Sequence, residues 1–186
     1  MGIYLNPENV DFQKSLNSEI YIDKTELISY TNKKLNTEQG YICVSRPRRF
    51  GKSMAANMLT AYYSRGCDSR ELFQGLKIAT HPDFEKHLNQ YNVIHLNMRD
   101  YLTESENMKQ LIQFVEDDLL DELQQEFSDL RMPRRKTLVK VLEQAFVQYK
   151  IPFVFIIDEW DCIFRVHKSD AASQKEYLDF LRNLLK

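Results

Sequence analysis

The spacing of apolar residues changes several times along the chain, and each change marks an element. Tyr41-Ile-Cys-Val-Ser45, Asn92-Val-Ile-His-Leu-Asn-Met98 and Pro152-Phe-Val-Phe-Ile-Ile-Asp158 are short apolar runs with the length and β-branching of buried strands. Between them the apolar positions fall three and four residues apart, the spacing of one helical face. Met54, Met58, Leu59 and Tyr62 follow this rule after Lys52, and Tyr177, Phe180, Leu181 and Leu184 follow it near the C-terminus. Helices are therefore predicted over about 24–34, from Lys52 to a stop at Gly66, briefly within HPDFEKHL, from Thr103 to Phe127, through TLVKVLEQAFVQYK, and over 171–186. Two starts carry a capping box: Asp23 with Glu26, stapled by Ile22 and Leu27, and Thr103 with Glu106.

Apolar strands separated by helices predict an α/β protein with a mainly parallel sheet. Right-handed crossovers place the C-terminal ends of such strands along one edge. The chain of 186 residues divides into an N-terminal helical lead-in, 1–40, and a core, 41–186.

One junction carries chemistry. Ser45-Arg-Pro-Arg-Arg-Phe-Gly-Lys-Ser53 stands between a predicted strand and a predicted helix. Gly-Lys-Ser before a helix is the second half of a phosphate-binding loop. Gly51 allows close backbone approach, Lys52 reaches the β- and γ-phosphates, the Ser53 hydroxyl is an oxygen ligand for Mg²⁺, and the helix adds its positive end. Arg46 occupies the place of the first glycine, and Pro47 removes one backbone donor. The second half of the site is the end of the third strand, Asp158-Glu159. In a parallel sheet Asp158 faces Ser53 across the metal, and Glu159 orients the attacking water. Alone, either element is weak, because acidic residues often end buried strands where they reach solvent. Together they point to nucleotide binding.

Arg46-Pro-Arg-Arg-Phe-Gly-Lys-Ser53, Ile-Ile-Asp158-Glu159-Trp-Asp161 and Tyr21-Ile-Asp-Lys-Thr25 resemble the predicted bacterial AAA-ATPase-like family, over about Phe12 to Lys186. The resemblance implies an ATP-binding P-loop domain, often joined to a C-terminal restriction-endonuclease-like domain. The arginine-rich loop is that family's form of Walker A. It implies ATP and Mg²⁺ as ligands, with Arg48, Arg49, Phe50, Gly51, Lys52, Ser53 and Met54 at the nucleotide, Ser53 and Asp158 at the metal, and Glu159 and Lys52 as catalytic residues. Tyr21, Asp23, Lys24 and Thr25 match an N-terminal signature whose role the resemblance does not supply; a place near the base or ribose is one reading for Lys24 or Thr25, while Asp23 reads first as the helix cap. Family members continue into a strand that lies between the Walker A and Walker B strands. The expected fold is thus a three-layer P-loop NTPase, incomplete at its C-terminal end, with YICVS and PFVFIID kept apart by a gap.

Three functions stay open: an ATPase, an ATP-binding switch with little turnover, and a nucleic-acid-binding module built on Arg46, Arg48, Arg49 and the RMPRRK loop at 131–136. A net charge of −2 confines nucleic-acid contact to such local patches. Any arginine finger comes from Arg48, Arg49 or a second subunit, so self-association and a C-terminal domain are the candidate partners besides ATP. No apolar run has the length of a membrane span, and the N-terminus lacks a signal-peptide pattern, so a cytoplasmic protein is expected. The three cysteines have no metal-site spacing, and Cys43 and Cys162 read as small core residues. Glu116, Asp117, Asp118, Asp121 and Glu122 read as a solvated helix face, the four histidines as structural or exposed. Trp160 reads as a wall of the site and Asp161 as the cap of the following turn.

Overall fold

Asn92–Asn97 and Phe153–Asp158 form strands β1 and β2, which pair in parallel from Asn92↔Phe153 to Asn97↔Asp158. The computed structural model describes residues 2–186 apart from Arg46 and Arg48, and among these β1 and β2 make the whole sheet. Successive side chains on a strand point to opposite faces. Ile94, Leu96, Phe153, Phe155 and Ile157 accordingly join one apolar cluster, and Val93, Val154 and Ile156 another.

The first cluster is closed by α6 (Met98–Glu104), α7 (Met108–Glu126), α8 (Leu138–Tyr149), α9 (Cys162–Val166) and α10 (Ala171–Leu184). The second is closed by α1 (Val10–Leu16), α2 (Glu26–Asn32), α3 (Lys52–Tyr63), α4 (Arg70–Phe73), a 3-10 turn at Lys77–Thr80, and α5 (Phe84–His87). Its centre is aromatic: Tyr62 meets Tyr63 edge-on at 4.9 Å and Phe73 at 5.5 Å, and Phe12 stacks on Phe73 at 5.0 Å. None of the described helices is long and apolar enough to cross a membrane.

The outer edge of β1 is covered by the N-terminal segment. Leu5 forms an antiparallel bridge to Ile94. The Asn6 N–H donates to the Val93 carbonyl at 2.7 Å, and the His95 N–H donates to the Tyr4 carbonyl at 2.9 Å. The Val93 N–H donates to the Asn6 side chain at 2.8 Å. Edge groups that a third strand would satisfy are thereby satisfied. The segment is itself anchored by Glu122, whose carboxylate accepts the N–H groups of Ile3 at 2.6 Å, Tyr4 at 3.0 Å and Leu5 at 2.6 Å. Asp118 accepts the Tyr101 hydroxyl at 2.9 Å. The acidic face of α7 is therefore more than a solvated face, and among the described residues no group of acids, histidines or cysteines is arranged to hold a metal.

Five expectations need correction. YICVS is not a strand: residues 41–45 are exposed, and β2 pairs with β1 alone among the described residues. β-branching favours a strand only where a partner supplies the hydrogen-bond ladder. Cys43 lies in this segment and is exposed, whereas Cys162 is buried as expected. Burial raises the Cys162 thiol to about 11, which leaves it protonated and inert. The helix expected from Thr103 is two helices, because Asn107 rather than Thr103 is the cap: its side chain accepts the Gln110 N–H at 3.0 Å while Gln110 takes the Glu106 N–H at 2.7 Å. α2 starts at Glu26 behind Thr25, so Asp23 is not its cap, and Ile22 is exposed rather than stapled. Gly66 does not stop α3, which ends at Tyr63. A Cβ at Gly66 would stand 2.3 Å from the Asn6 carbonyl oxygen, so the residue serves close backbone approach.

The histidines are structural. His87 Nδ1 lies 2.6 Å from the Tyr91 hydroxyl, and His95 Nδ1 lies 3.1 Å from the Thr60 hydroxyl. Desolvation holds both rings below their ordinary 6.5; beside His95 the Asp158 charge pulls weakly the other way. A folded-state value below the unfolded one means that the unfolded chain takes up protons first as pH falls. The melting temperature is therefore expected to drop between about pH 7.5 and 6, and less so in His95→Gln. A flat thermal-denaturation profile over that window would refute the assignment.

Candidate functional site

The direction of α3 decides which groups share an end of the molecule. The C-terminal end of α3 is tied to the residue preceding β1. The Tyr91 N–H donates to the Tyr63 carbonyl, and the Arg65 N–H donates to the Tyr91 carbonyl, both at 3.0 Å. Part-way along, Thr60 meets His95. α3 thus runs antiparallel to both strands. Its 12 residues span about 18 Å, and the 6 residues of each strand about 20 Å. The N-terminus of α3, with Gly51, Lys52 and Ser53, therefore lies at the end of the sheet where β2 finishes with Asp158.

At that end the loop has a defined backbone. Gly51 caps α3 with φ of 75°, and Arg49 before it also has a positive φ, 67°. The Ala55 N–H donates to the Gly51 carbonyl at 3.0 Å, the first bond of the helix. The N–H groups of Ser53 and Met54 stand in the first turn, before the helix's own hydrogen bonds begin, and Gly51 has no side chain to cap them. Lys52 opens the helix and Ser53 is exposed beside it. Phe50 and Met54 expose their side chains, the Met54 sulfur lying 3.8 Å from where a Gly51 Cβ would be. Arg48 lies outside the described residues. The RMPRRK loop is largely exposed between α7 and α8, remote in sequence from this end.

β2 ends in a turn that fixes both carboxylates. Asp158 Oδ1 accepts the N–H of Glu159 at 2.9 Å, and the Glu159 carbonyl accepts the Cys162 N–H at 2.9 Å. Glu159 has φ of 50°, a region that residues with a Cβ seldom occupy. Its carboxylate pairs with Arg165 of α9, whose other terminal nitrogen donates to Asp161 Oδ1 and Oδ2 at 2.9 and 2.8 Å. Asp161 stands at the N-cap position of α9, but its side chain makes no cap bond and holds Arg165 instead. Trp160 packs edge-on to Phe164 at 6.0 Å, its carbonyl accepting the Tyr177 hydroxyl at 2.9 Å.

Sequence reasoning gave one side chain at this end only a loose position and missed another. The Lys24 ammonium donates to the Phe50 carbonyl at 2.9 Å. The Tyr21–Thr25 signature singled it out but suggested the base or ribose rather than this backbone contact. Arg165 pairs with Asp161 at the helical i, i+4 spacing that sequence does reveal, but its reach back to Glu159 depends on the turn.

A family model described as "Predicted AAA-ATPase" matches residues 10–186. The chain belongs to this AAA-ATPase-like family. No curated protein and no solved structure matches it. Membership agrees with the resemblance read from the loop and the Asp158-Glu159 strand end, and the matched span includes every residue of the candidate site.

Proposed function

We propose that this AAA-ATPase-like chain binds ATP with Mg²⁺ at the N-terminal end of α3 and hydrolyses it, in a three-layer P-loop NTPase fold. The observation that carries this reading is the antiparallel course of α3 against β2, which sets Gly51, Lys52 and Ser53 at the same sheet end as Asp158 and Glu159.

The helix N-terminus offers backbone N–H groups and a partial positive charge to the phosphates. Lys52 adds a full charge, and Arg49 adds another close to Gly51 in the chain; Arg48 belongs to the same proposal. Ser53 and Asp158 would hold Mg²⁺: both are oxygen donors, the class it prefers, and with few protein ligands available the phosphates and water complete its shell. When bound it neutralises charge that develops on the phosphate oxygens. Glu159 orients a water for in-line attack on the γ-phosphorus. The bond to the bridging oxygen breaks, leaving ADP and inorganic phosphate.

Lys52→Ala is expected to weaken ATP binding tenfold or more, at least about 1.4 kcal/mol, with the melting temperature unchanged. Calorimetric titration with ATP and Mg²⁺ checks this, and undiminished affinity removes the reading. A second reading, an ATP-binding switch with little turnover, is favoured by one contact: the Glu159 carboxylate is engaged by Arg165.

A further inference from the structure

The Tyr21–Thr25 signature lies outside the loop and outside the strand that bears the carboxylates, yet the two meet at one side chain. Asp23 and Thr25 are fixed to the 3-10 turn. Asp23 Oδ1 accepts the Thr25 N–H at 2.8 Å and the Thr25 hydroxyl at 2.6 Å, while Oδ2 accepts the Lys77 N–H at 2.8 Å. Thr25 is fully buried, and its Oγ1 accepts the Ile78 N–H at 3.2 Å. Two N–H groups that open the turn are thereby satisfied by one short stretch. Burial pushes the Asp23 carboxyl up, but these hydrogen bonds outweigh it and hold the group below its ordinary value.

Lys24, between these two anchors, reaches the Phe50 carbonyl at 2.9 Å. A second observation bears on the same contact. A Cβ at Gly51 would stand 2.7 Å from the Lys24 Nζ, so the missing side chain is also what admits the ammonium. The described peptide bonds are trans, and in a planar trans peptide the C=O and the N–H point in opposite directions. With the Phe50 oxygen turned to Lys24, the Gly51 N–H is turned away from it. The orientation of one backbone donor of the loop is thus set by a residue 27 positions earlier in the chain (51 − 24).

We infer that Asp23-Lys24-Thr25 is an outer clamp of the phosphate loop, in which Lys24 is a positioning residue that turns the Phe50–Gly51 peptide so that its N–H serves the phosphate chain of the nucleotide. The clamp rests on the ATP-binding reading given above. It assigns Lys24 no contact with the adenine or the ribose, so a bare phosphate chain must feel its loss as ATP does.

The test uses the full chain with Lys24→Met, Lys24→Arg, Lys52→Ala and Gly51→Ala, titrated with ATP·Mg²⁺ and with inorganic triphosphate. Lys24→Met is expected to bind both probes about tenfold more weakly, the scale of one charge-assisted hydrogen bond, with an unchanged melting temperature; Lys24→Arg recovers part of the loss. Because Gly51→Ala displaces the same ammonium, its effect combined with Lys24→Met falls short of the sum of the two. Wild-type affinity in Lys24→Met, with binding lost in Lys52→Ala, overturns the clamp and leaves the ATP site standing. A loss confined to ATP and absent with triphosphate also overturns it, as does strict additivity with Gly51→Ala. Full ATP affinity in Lys52→Ala removes the site, and the clamp with it.

Discussion

Glu159→Gln is expected to reduce ATP turnover by about a hundredfold or more while ATP affinity stays within about threefold of wild type. The substitution keeps the shape of the side chain and removes its charge, so the water loses the acceptor that orients it. The positive φ of Glu159 and the Asp158 hydrogen bond to its N–H are backbone features that glutamine retains. The ion pair to Arg165 is lost, but both partners are partly solvated and Arg165 keeps its two bonds to Asp161, so the fold tolerates the change. Phosphate release under single-turnover conditions, beside a binding titration, separates the two effects. Equal rates in variant and wild type would show that Glu159 does not act on the water. A wild type without turnover would make the chain a switch, with Arg165 holding the carboxylate off the reaction.

The largest expected loss of stability is at Tyr62. It has no solvent exposure, donates its hydroxyl to the Phe84 carbonyl at 2.8 Å and accepts from Asn32 at 3.2 Å. Tyr62→Ala removes a whole ring from the aromatic cluster and leaves the Asn32 amide N–H without its partner, while the Phe84 carbonyl keeps the Leu88 N–H at 3.2 Å. A cost of about 4 kcal/mol is expected, or a melting temperature lower by about 10 °C in a chain of this size. Tyr62→Phe keeps the ring and should cost about 1–2 kcal/mol, from the hydroxyl alone. Thermal and urea denaturation read both. A loss below 1 kcal/mol in the alanine variant would mean that α3 is not packed on α4 and α5 as described.

Hydrophobic spacing was a good guide wherever an element buries one face over several turns. α8 and α10 follow their apolar positions closely, as do β1 and β2, while in α3 Met58 and Tyr62 are buried but Met54 is exposed. It failed where the deciding contact is distant in sequence. YICVS has the composition of a strand, but pairing is a property of two segments, and the described residues supply no second one. α1 was invisible because Phe12 is its single buried residue, too little to reveal a period. Capping boxes misled twice for one reason: the residue pattern at Asp23 and Thr103 fits a cap, yet Asp23 is taken by Lys77, and Asn107 starts the later helix. The candidate site was legible as two motifs. Their placement at one end follows from helix–sheet packing, while Lys24 and Arg165 needed the loop and the turn to be built.

The space above Gly51 has a consequence for how such sequences vary. Position 51 excludes a side chain partly because position 24 fills the gap, and an ammonium at 24 has its carbonyl partner only while 51 stays bare. The two sites therefore carry one choice between them. Among relatives that bind phosphate through this loop, a chain that replaces the glycine is expected to have lost the lysine as well, and the pair should stand out as a correlated column long before either residue is understood alone.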